Sequence, residues 1–362
     1  MLKKAAGLLL LCGCMAVWMS CSGTVSHYVY AALPSSNQVG IYREDPYSGV
    51  LTQISQSPYA AGNGAESVVV HPSNLIMYVS NAVDNTISLF DLASNGTVSE
   101  VTPRTTSGST PAILAMDPGG NYLYEGDWGS NSITVYSINT NGCTAGKVQS
   151  SCGTLSQTST FPIGVRPLNL KLNSAGSILY VTGGAQPTGF ILAFAVAGGA
   201  LQSVVGTFSS GGASPYGLTI DPSGKYLYVS NGAPDNSIAE FTIGTGGTLT
   251  PIAGSPVGQS DGTNPLSVLV DKSDTYLYVA NEGSNNVSAY TLASDGSISP
   301  LSTPTFSTGT QPSFLAMDPN GKYLLVANQS NGIEVFSLST GDLDVVMTLN
   351  SGSNPSSLAI TQ

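Results

Sequence analysis

The sequence predicts an all-β fold: a seven-bladed β-propeller of four-stranded blades, closed by pairing of the N- and C-terminal strands in one blade. Three observations support this. A strand-rich unit recurs with a period near 50 residues. The 42 glycines and 21 prolines separate short runs of β-branched and aromatic residues. No long stretch has the helical period of apolar residues.

Each unit follows one pattern, which is clearest at residues 215–231 and 312–328. A proline opens a short apolar strand, an Asp-Pro-x-Gly sequence of type I turn character follows, and a Tyr-Leu-Tyr-Val-x-Asn strand ends the pattern. The second strand sets the period. Its aligned residues are predicted to be Tyr28, Tyr78, Tyr124, Tyr180, Tyr228, Tyr278 and Leu325.

The last unit illustrates the four strands, predicted at 313–317, 323–327, 333–338 and 345–349. The two ends of the chain are complementary. The first unit has no first strand, and residues 355–361 form a first strand without a second. We expect these residues to pair beside residues 28–30 and to close the ring. Residues 27–362 then form a single domain.

The N-terminus has the pattern of an export signal. Lys3 and Lys4 precede an apolar segment at 5–11, and small residues then lead to Cys21. This resembles the lipobox of bacterial lipoproteins. We predict a signal peptide at 1–20, a lipidated Cys21 and a short tether at 21–26, with Cys14 as the alternative site. An ordinary cleaved signal peptide remains the other interpretation. The predicted location is the bacterial cell envelope, periplasmic or at the surface.

Charge and cysteine content limit the partners. The net charge is −11 and no cluster of lysine and arginine occurs, so nucleic-acid binding is not expected. Cys143 and Cys152 lie close together in a loop rich in Gly, Ser and Thr. Export favours a disulfide between them. A metal site would need more ligands than this loop offers. We predict no metal, no cofactor, and a monomer that contacts the membrane only through its lipid.

The Tyr-Val-x-Asn line, repeated over about residues 27–361, resembles the YVTN-repeat propellers and the lactonase-like seven-bladed propellers. That family includes 6-phosphogluconolactonase-type hydrolases and muconate-cyclising enzymes. The resemblance implies the propeller fold and, as one possibility, hydrolysis of a lactone ring. The muconate-cyclising relatives use His, Glu and Arg in the channel. Many other members are plain scaffolds, and the fold alone does not fix the function.

Blades that depart from the repeat are predicted to carry the ligand site. Glu125 replaces the usual valine in blade 3 and is followed by Asp127 and Trp128. Blade 2 has Glu66 in its first strand, and blade 4 has Arg166 just before its first strand and Lys171 within it. We predict that these six residues line the channel mouth. In contrast, the asparagine that ends most second strands is expected to be structural rather than a calcium ligand, because asparagine readily bonds turn backbone.

The catalytic residues of a hydrolase are not visible in the sequence. His71 lies in a turn on the face away from the channel mouth, and His27 starts the first strand. Arg166 is the arginine best placed for the channel, whereas Arg43 and Arg104 are not. The sequence therefore favours a binding scaffold at the cell envelope, whose partner could be a protein, a glycan or a small molecule. A 6-phosphogluconolactonase-like hydrolase is the alternative.

Overall fold

The computed structural model describes residues 26–144, 147–148, 151–185, 188–259, 262–330 and 332–362. They form seven antiparallel sheets arranged around a central channel, which confirms the predicted propeller. In each blade the first strand lies nearest the channel and the fourth lies outermost. The predicted signal peptide and both candidate lipidation sites, Cys14 and Cys21, lie outside the described residues.

Blades 1 to 3 contain the following strands. Blade 1 consists of Ser357–Ile360, His27–Leu33, Gln38–Glu44 and Leu51–Gln53, with Tyr59–Ala60 also paired to the third strand. Blade 2 consists of Ala65–Val70, Ile76–Asn81, Thr86–Leu92 and Val98–Thr106. Blade 3 consists of Pro111–Met116, Tyr122–Asp127, Ser132–Ile138 and Leu155–Pro162, with a separate hairpin of Cys143–Thr144 and Lys147–Val148.

Blades 4 to 7 repeat this order. Blade 4 consists of Pro167–Leu172, Ile178–Ala185, Thr188–Ala197 and Ala200–Ser209. Blade 5 consists of Pro215–Ile220, Tyr226–Asn231, Ser237–Ile243 and Leu249–Pro251, with Val257–Gly258 on its third strand and a 3₁₀ turn at Thr245–Gly247. Blade 6 consists of Pro265–Val270, Tyr276–Asn281, Asn286–Leu292 and Ile298–Ser307. Blade 7 consists of Pro312–Met317, Tyr323–Asn328, Gly332–Ser339 and Asp342–Leu349.

Ring closure occurs as predicted, in blade 1. The C-terminal strand pairs antiparallel with the N-terminal strand, and Ala359 lies opposite Tyr30. This register corrects the alignment of blade 1, because Tyr30 and not Tyr28 occupies the repeat position. A shift of two residues keeps every side chain on the same face of a strand, so the sequence pattern alone did not reveal it.

In blades 2 to 6 the repeated tyrosine joins one blade to the next. The buried hydroxyl of Tyr78 donates to the Gly153 carbonyl oxygen, which belongs to the turn between the third and fourth strands of the following blade. Four other blades repeat this bond, through Tyr124, Tyr180, Tyr228 and Tyr278 to the carbonyl oxygens of Gly199, Gly247, Gly296 and Gly341. The core therefore lies between blades, where apolar strand faces and these tyrosines pack together.

The predicted disulfide is present between Cys143 and Cys152, whose Cα atoms are 5.1 Å apart. It holds an insertion between the third and fourth strands of blade 3. Cys152 is fully buried and packs against the side chains of blades 2 and 3. Within the described part of the chain, no helix has the length and apolar character needed to cross a membrane.

Candidate functional site

The central channel encloses about 890 Å³ and is lined by the first strands of the blades. One end of it, here called the mouth, is formed by the residues just before each first strand and just after each second strand. The opposite end is formed by the turns between these two strands. The mouth positions that lie in loops are free of the alternation that buries every second residue of a strand, whereas Glu66 lies at the start of a first strand.

Three residues predicted from the sequence meet at the mouth: Glu66, Trp128 and Arg166. The guanidinium carbon of Arg166 lies 3.5 Å from the centroid of the Trp128 ring, in a cation–π contact. Arg166 is exposed to the channel, whereas Glu66 and Trp128 are half-buried. These three residues are called the mouth cluster below.

Within the mouth cluster, the charge of Arg166 affects the pKa of Glu66. Burial raises the pKa of Glu66 above its ordinary value, and the positive charge of Arg166 partly offsets this rise. Among the ion pairs of the described residues, none joins these two side chains directly. The guanidinium and the carboxylate therefore both keep positions open toward the channel.

Arg104 and both histidines are engaged elsewhere. Arg104 forms ion pairs with Glu100 at 2.6 Å and with Asp84 at 3.8 Å. The two ring nitrogens of His71 contact the Ser73 hydroxyl and the Gly120 carbonyl oxygen, which fixes this ring between two turns. His27 lies at the closure, where its Nδ1 contacts the Thr361 carbonyl oxygen. Of the three arginines, only Arg166 lines the channel.

Glu125 and Asp127 do not lie at the channel mouth, so their predicted placement needs correction. Both are fully buried inside blade 3. One oxygen of Glu125 accepts a hydrogen bond from the Tyr136 hydroxyl at 2.8 Å, and Asp127 accepts from the hydroxyls of Ser132 and Thr134. The alternation of strand residues explains the error, because these two positions face neighbouring blades rather than the channel.

Burial raises the pKa of both members of this acid pair. The pKa of Glu125 rises to about 8, first because of burial and second because of the charge of Asp127. The pKa of Asp127 is also raised, mainly by burial. One oxygen of each carboxyl lacks a hydrogen-bond partner among the described residues. Burial therefore favours the protonated form of Glu125 at neutral pH, and this residue is not among those that line the channel cavity.

Asp127 occupies the position of the repeated asparagine, and its bonds show what that position does. Asn81 donates to the hydroxyls of Thr86 and Ser88 and accepts from the Gly62 amide, all inside blade 2. Asn281 similarly donates to the Ser288 hydroxyl. These bonds agree with the structural interpretation. In the described ranges no group of three His, Cys, Asp or Glu residues could hold a metal ion.

Sequence reasoning missed a polar group on the blade 5 and blade 6 side of the mouth. Glu282 accepts a 2.6 Å hydrogen bond from the Asn264 side-chain amide, and both residues line the channel together with Tyr216. Glu282 follows the asparagine of its second strand, which is the position of Trp128 in blade 3. Comparing this single position across blades would have found both residues.

The sequence of this chain is similar to those of known propeller proteins. The model of the family described as lactonase, 7-bladed beta-propeller, matches residues 56–152, 140–231 and 216–307. A 6-phosphogluconolactonase from Cronobacter sakazakii is 28% identical over 114 residues. That match covers 31% of this chain and 32% of the relative, so it spans about a third of the relative's length.

Two solved structures resemble the whole ring. One, from Bacteroides fragilis, is titled as a proposed 6-phosphogluconolactonase; it has a TM-score of 0.77 at 18% identity and covers 94% of this chain and 99% of its own. The other is a periplasmic gluconolactonase from Pseudomonas aeruginosa, with a TM-score of 0.75 at 17% identity, covering 93% and 99%. At these identities the likeness establishes the fold.

Proposed function

Because the chain belongs to the family of seven-bladed β-propeller lactonases, we propose that it hydrolyses a lactone ring at the channel mouth. The observation that carries this proposal is the mouth cluster, where an unpaired guanidinium and a carboxylate of raised pKa face one cavity. The proposal replaces the binding scaffold as the leading hypothesis, since the family comparisons favour the alternative that the sequence left open.

Arg166 is proposed to stabilise the negative charge that develops on the lactone carbonyl oxygen when water attacks. Its guanidinium carbon lies over the Trp128 ring at 3.5 Å from the centroid, and this contact holds the charge in one place before substrate arrives. Pre-positioned cations of this kind lower the barrier because they need no reorganisation during the reaction. The Trp128 ring also offers an apolar wall beside the bound ring of the substrate.

Glu66 is proposed to act as the general base that takes a proton from the attacking water. Its burial raises its pKa toward the working range of such a base, while Arg166 favours its ionised form. After ring opening the proton passes to the departing alkoxide oxygen, and the product is a hydroxy acid. The product carboxylate is negatively charged and matches the guanidinium that stabilised its precursor.

Hydrolysis of gluconolactone and of 6-phosphogluconolactone by the purified protein tests this proposal. Arg166→Ala should lower kcat/KM by about 10²- to 10³-fold, the usual cost of losing one oxyanion contact. Arg104→Ala is the matched control, because it removes an arginine that pairs on the surface. Glu66→Gln should remove the acidic limb of the pH–rate profile as well as most of the rate.

Two outcomes would count against the proposal in different ways. If the wild-type protein hydrolyses none of a panel of lactones above background, the binding scaffold becomes the better hypothesis. If it hydrolyses a lactone equally well with and without Arg166 and Glu66, the family activity stands but the site is misplaced.

We also propose that the protein is lipid-anchored in the cell envelope through Cys21. This rests on the N-terminal sequence alone. Intact-mass analysis of the membrane fraction should find an acylated Cys21 at the new N-terminus. Acylation at Cys14 would contradict it, as would an unmodified N-terminus on released protein.

A further inference from the structure

Seven residues form a ring around the channel at one level, because each lies opposite the repeated residue of the second strand. They are Val69, Ala115, Lys171, Thr219, Leu269, Ala316 and Ala359. Lys171 is the one charged member of an otherwise apolar or small ring, here called the waist. With a rise of about 3.3 Å per residue, its Cα lies roughly 16 Å along the strand from that of Arg166.

Among the described residues, no carboxylate side chain lines the channel at the level of Lys171. The other charged side chains that line the cavity are Glu66, Arg166 and Glu282, all at the mouth. At the opposite end the cavity reaches Gln362, the last residue of the sequence, and one of its main-chain oxygens accepts a hydrogen bond from the Asn74 side-chain amide. The ion pairs found in the described ranges do not involve Lys171. Its side chain reaches the channel water but is surrounded by the blades, which lowers the pKa of its ammonium group.

We propose that Lys171 is a nucleophilic amine that captures small aldehydes entering the channel, as an imine. A lysine with an apolar surrounding and no acidic partner is the usual setting for amines that attack carbonyl carbons. The waist provides this setting through Val69, Ala115 and Leu269. Small aldehydes include the open-chain forms of sugars, so the site suits a carbonyl ligand distinct from a lactone.

The chemistry is a condensation without a redox step. The nitrogen lone pair of Lys171 attacks the aldehyde carbon, and one amine proton moves to the former carbonyl oxygen to give a carbinolamine. The carbon–oxygen bond then breaks, the second amine proton leaves with the hydroxyl as water, and a carbon–nitrogen double bond remains. Channel water can carry both protons, because the Lys171 side chain is exposed to it.

Reductive labelling of the purified protein tests the proposal. The protein is treated with acetaldehyde and cyanoborohydride at pH 7, and ethylation of each lysine is followed by peptide mass spectrometry. Lys171 should react at least about five-fold faster than the exposed Lys225 and Lys272, since each unit by which a pKa falls gives about tenfold more free amine. Equal rates at all three lysines would overturn the proposal.

A second experiment changes only the charge beside Lys171. Thr219 occupies the waist position of the adjacent blade, so Thr219→Asp places a carboxylate next to the amine, and Thr219→Asn is its neutral control. Labelling of Lys171 should slow by about five-fold or more in the Asp variant relative to the Asn variant. Equal labelling in the two variants would contradict the proposal. If near-UV circular dichroism shows that either Thr219 variant is misfolded, the same comparison is made with Ala115→Asp and Ala115→Asn on the other adjacent blade.

Discussion

The mouth cluster and the buried acid pair of blade 3 differ in their access to the channel, although part of each lies in the same stretch of chain. Asp127 and Trp128 are adjacent in sequence, yet Asp127 is fully buried in the blade and Trp128 supports the guanidinium of Arg166 in the channel. Both depart from the repeat. Only the residues in loops or on the first strand reach the cavity, whereas the second strand contributes its side chains to the spaces between blades.

The difference shows that a departure from a repeat identifies an exceptional residue but not its surroundings. In a blade, the strand and its alternation decide whether a charge meets water or the core. Charges that meet the core must be neutralised or paired, and Glu125 is neutralised by keeping its proton. Charges at the mouth stay available for a ligand. Three experiments can break or sharpen this comparison.

Deleting residues 355–361 should have the largest effect, because this strand supports both regions. It walls the channel through Ser356, Ser357 and Leu358, and it covers the buried edge formed by Val29 and Tyr30. We expect loss of the folded ring or aggregation through the exposed edge. The lost free energy of unfolding should be comparable to the whole stability of a domain, about 5–15 kcal/mol. Thermal unfolding and size-exclusion chromatography measure this. Removal of the exposed Gln362 alone is the control, and a truncated protein that melts like the full chain would contradict closure.

Replacing Glu125 with Gln should change stability rather than activity. Below about pH 4.5 the carboxyl is protonated in both the folded and the unfolded chain, and it has no pH-dependent effect. Between about pH 4.5 and pH 8 the unfolded chain loses this proton while the folded chain keeps it, so stability falls as the pH rises. Glu125→Gln should remove this loss, a gain on the order of 1–3 kcal/mol at pH 8 relative to pH 5.

Urea unfolding at several pH values measures how the free energy of unfolding changes with pH in the Glu125→Gln variant and in the wild type. Glu44, whose pKa burial also raises to about 8, leaves a slope of the same sign in both proteins. Asp344→Asn, at an exposed strand position, is the control and should change little. A Glu125→Gln variant that loses lactone hydrolysis at unchanged stability would show that the acid pair belongs to the functional site after all.

Reducing the disulfide should have the smallest effect on either region. The bond between Cys143 and Cys152 closes a short loop, for which the loop-entropy model gives about 2–3 kcal/mol at most. Because Cys152 stays packed between blades 2 and 3, we expect the ring to remain folded and the mouth cluster to keep its activity. Limited proteolysis should detect a loosened insertion. Cooperative unfolding of the whole ring on reduction would contradict this.

The sequence was sufficient for the ring because seven copies of one pattern reinforce each other. It placed the closing strand, and it placed Arg166, Trp128 and Glu66 at the channel mouth, since those positions follow from where a first strand begins or a second strand ends. Lys171 also lines the channel, but at the waist and not at the predicted mouth. The sequence did not place Glu125 correctly, because an aligned repeat gives a position along the strand but not the face that the position presents. The Tyr28 alignment failed for the opposite reason: residues two apart share a face, so the pattern gave the face but not the position along the strand.

Other features of the site depend on distances that no spacing in the sequence contains. Glu282 and Asn264 are 18 residues apart and meet only because the loop before one strand touches the loop after the next. The stacking of Arg166 on Trp128 joins blades 3 and 4 in the same way. The pKa of Glu66 is raised by its burial and partly lowered again by the arginine of another blade, and neither effect can be read from the spacing of these residues.

The pairing of the two chain ends in blade 1 also constrains how the protein is made. His27 contacts a residue 334 positions later, so blade 1 lacks its inner strand until the last residues leave the ribosome. At translation rates of about 5–20 residues per second, the N-terminal strand waits on the order of tens of seconds for its partner. During this time the ring stays open, and the edge of the N-terminal strand stays without its partner.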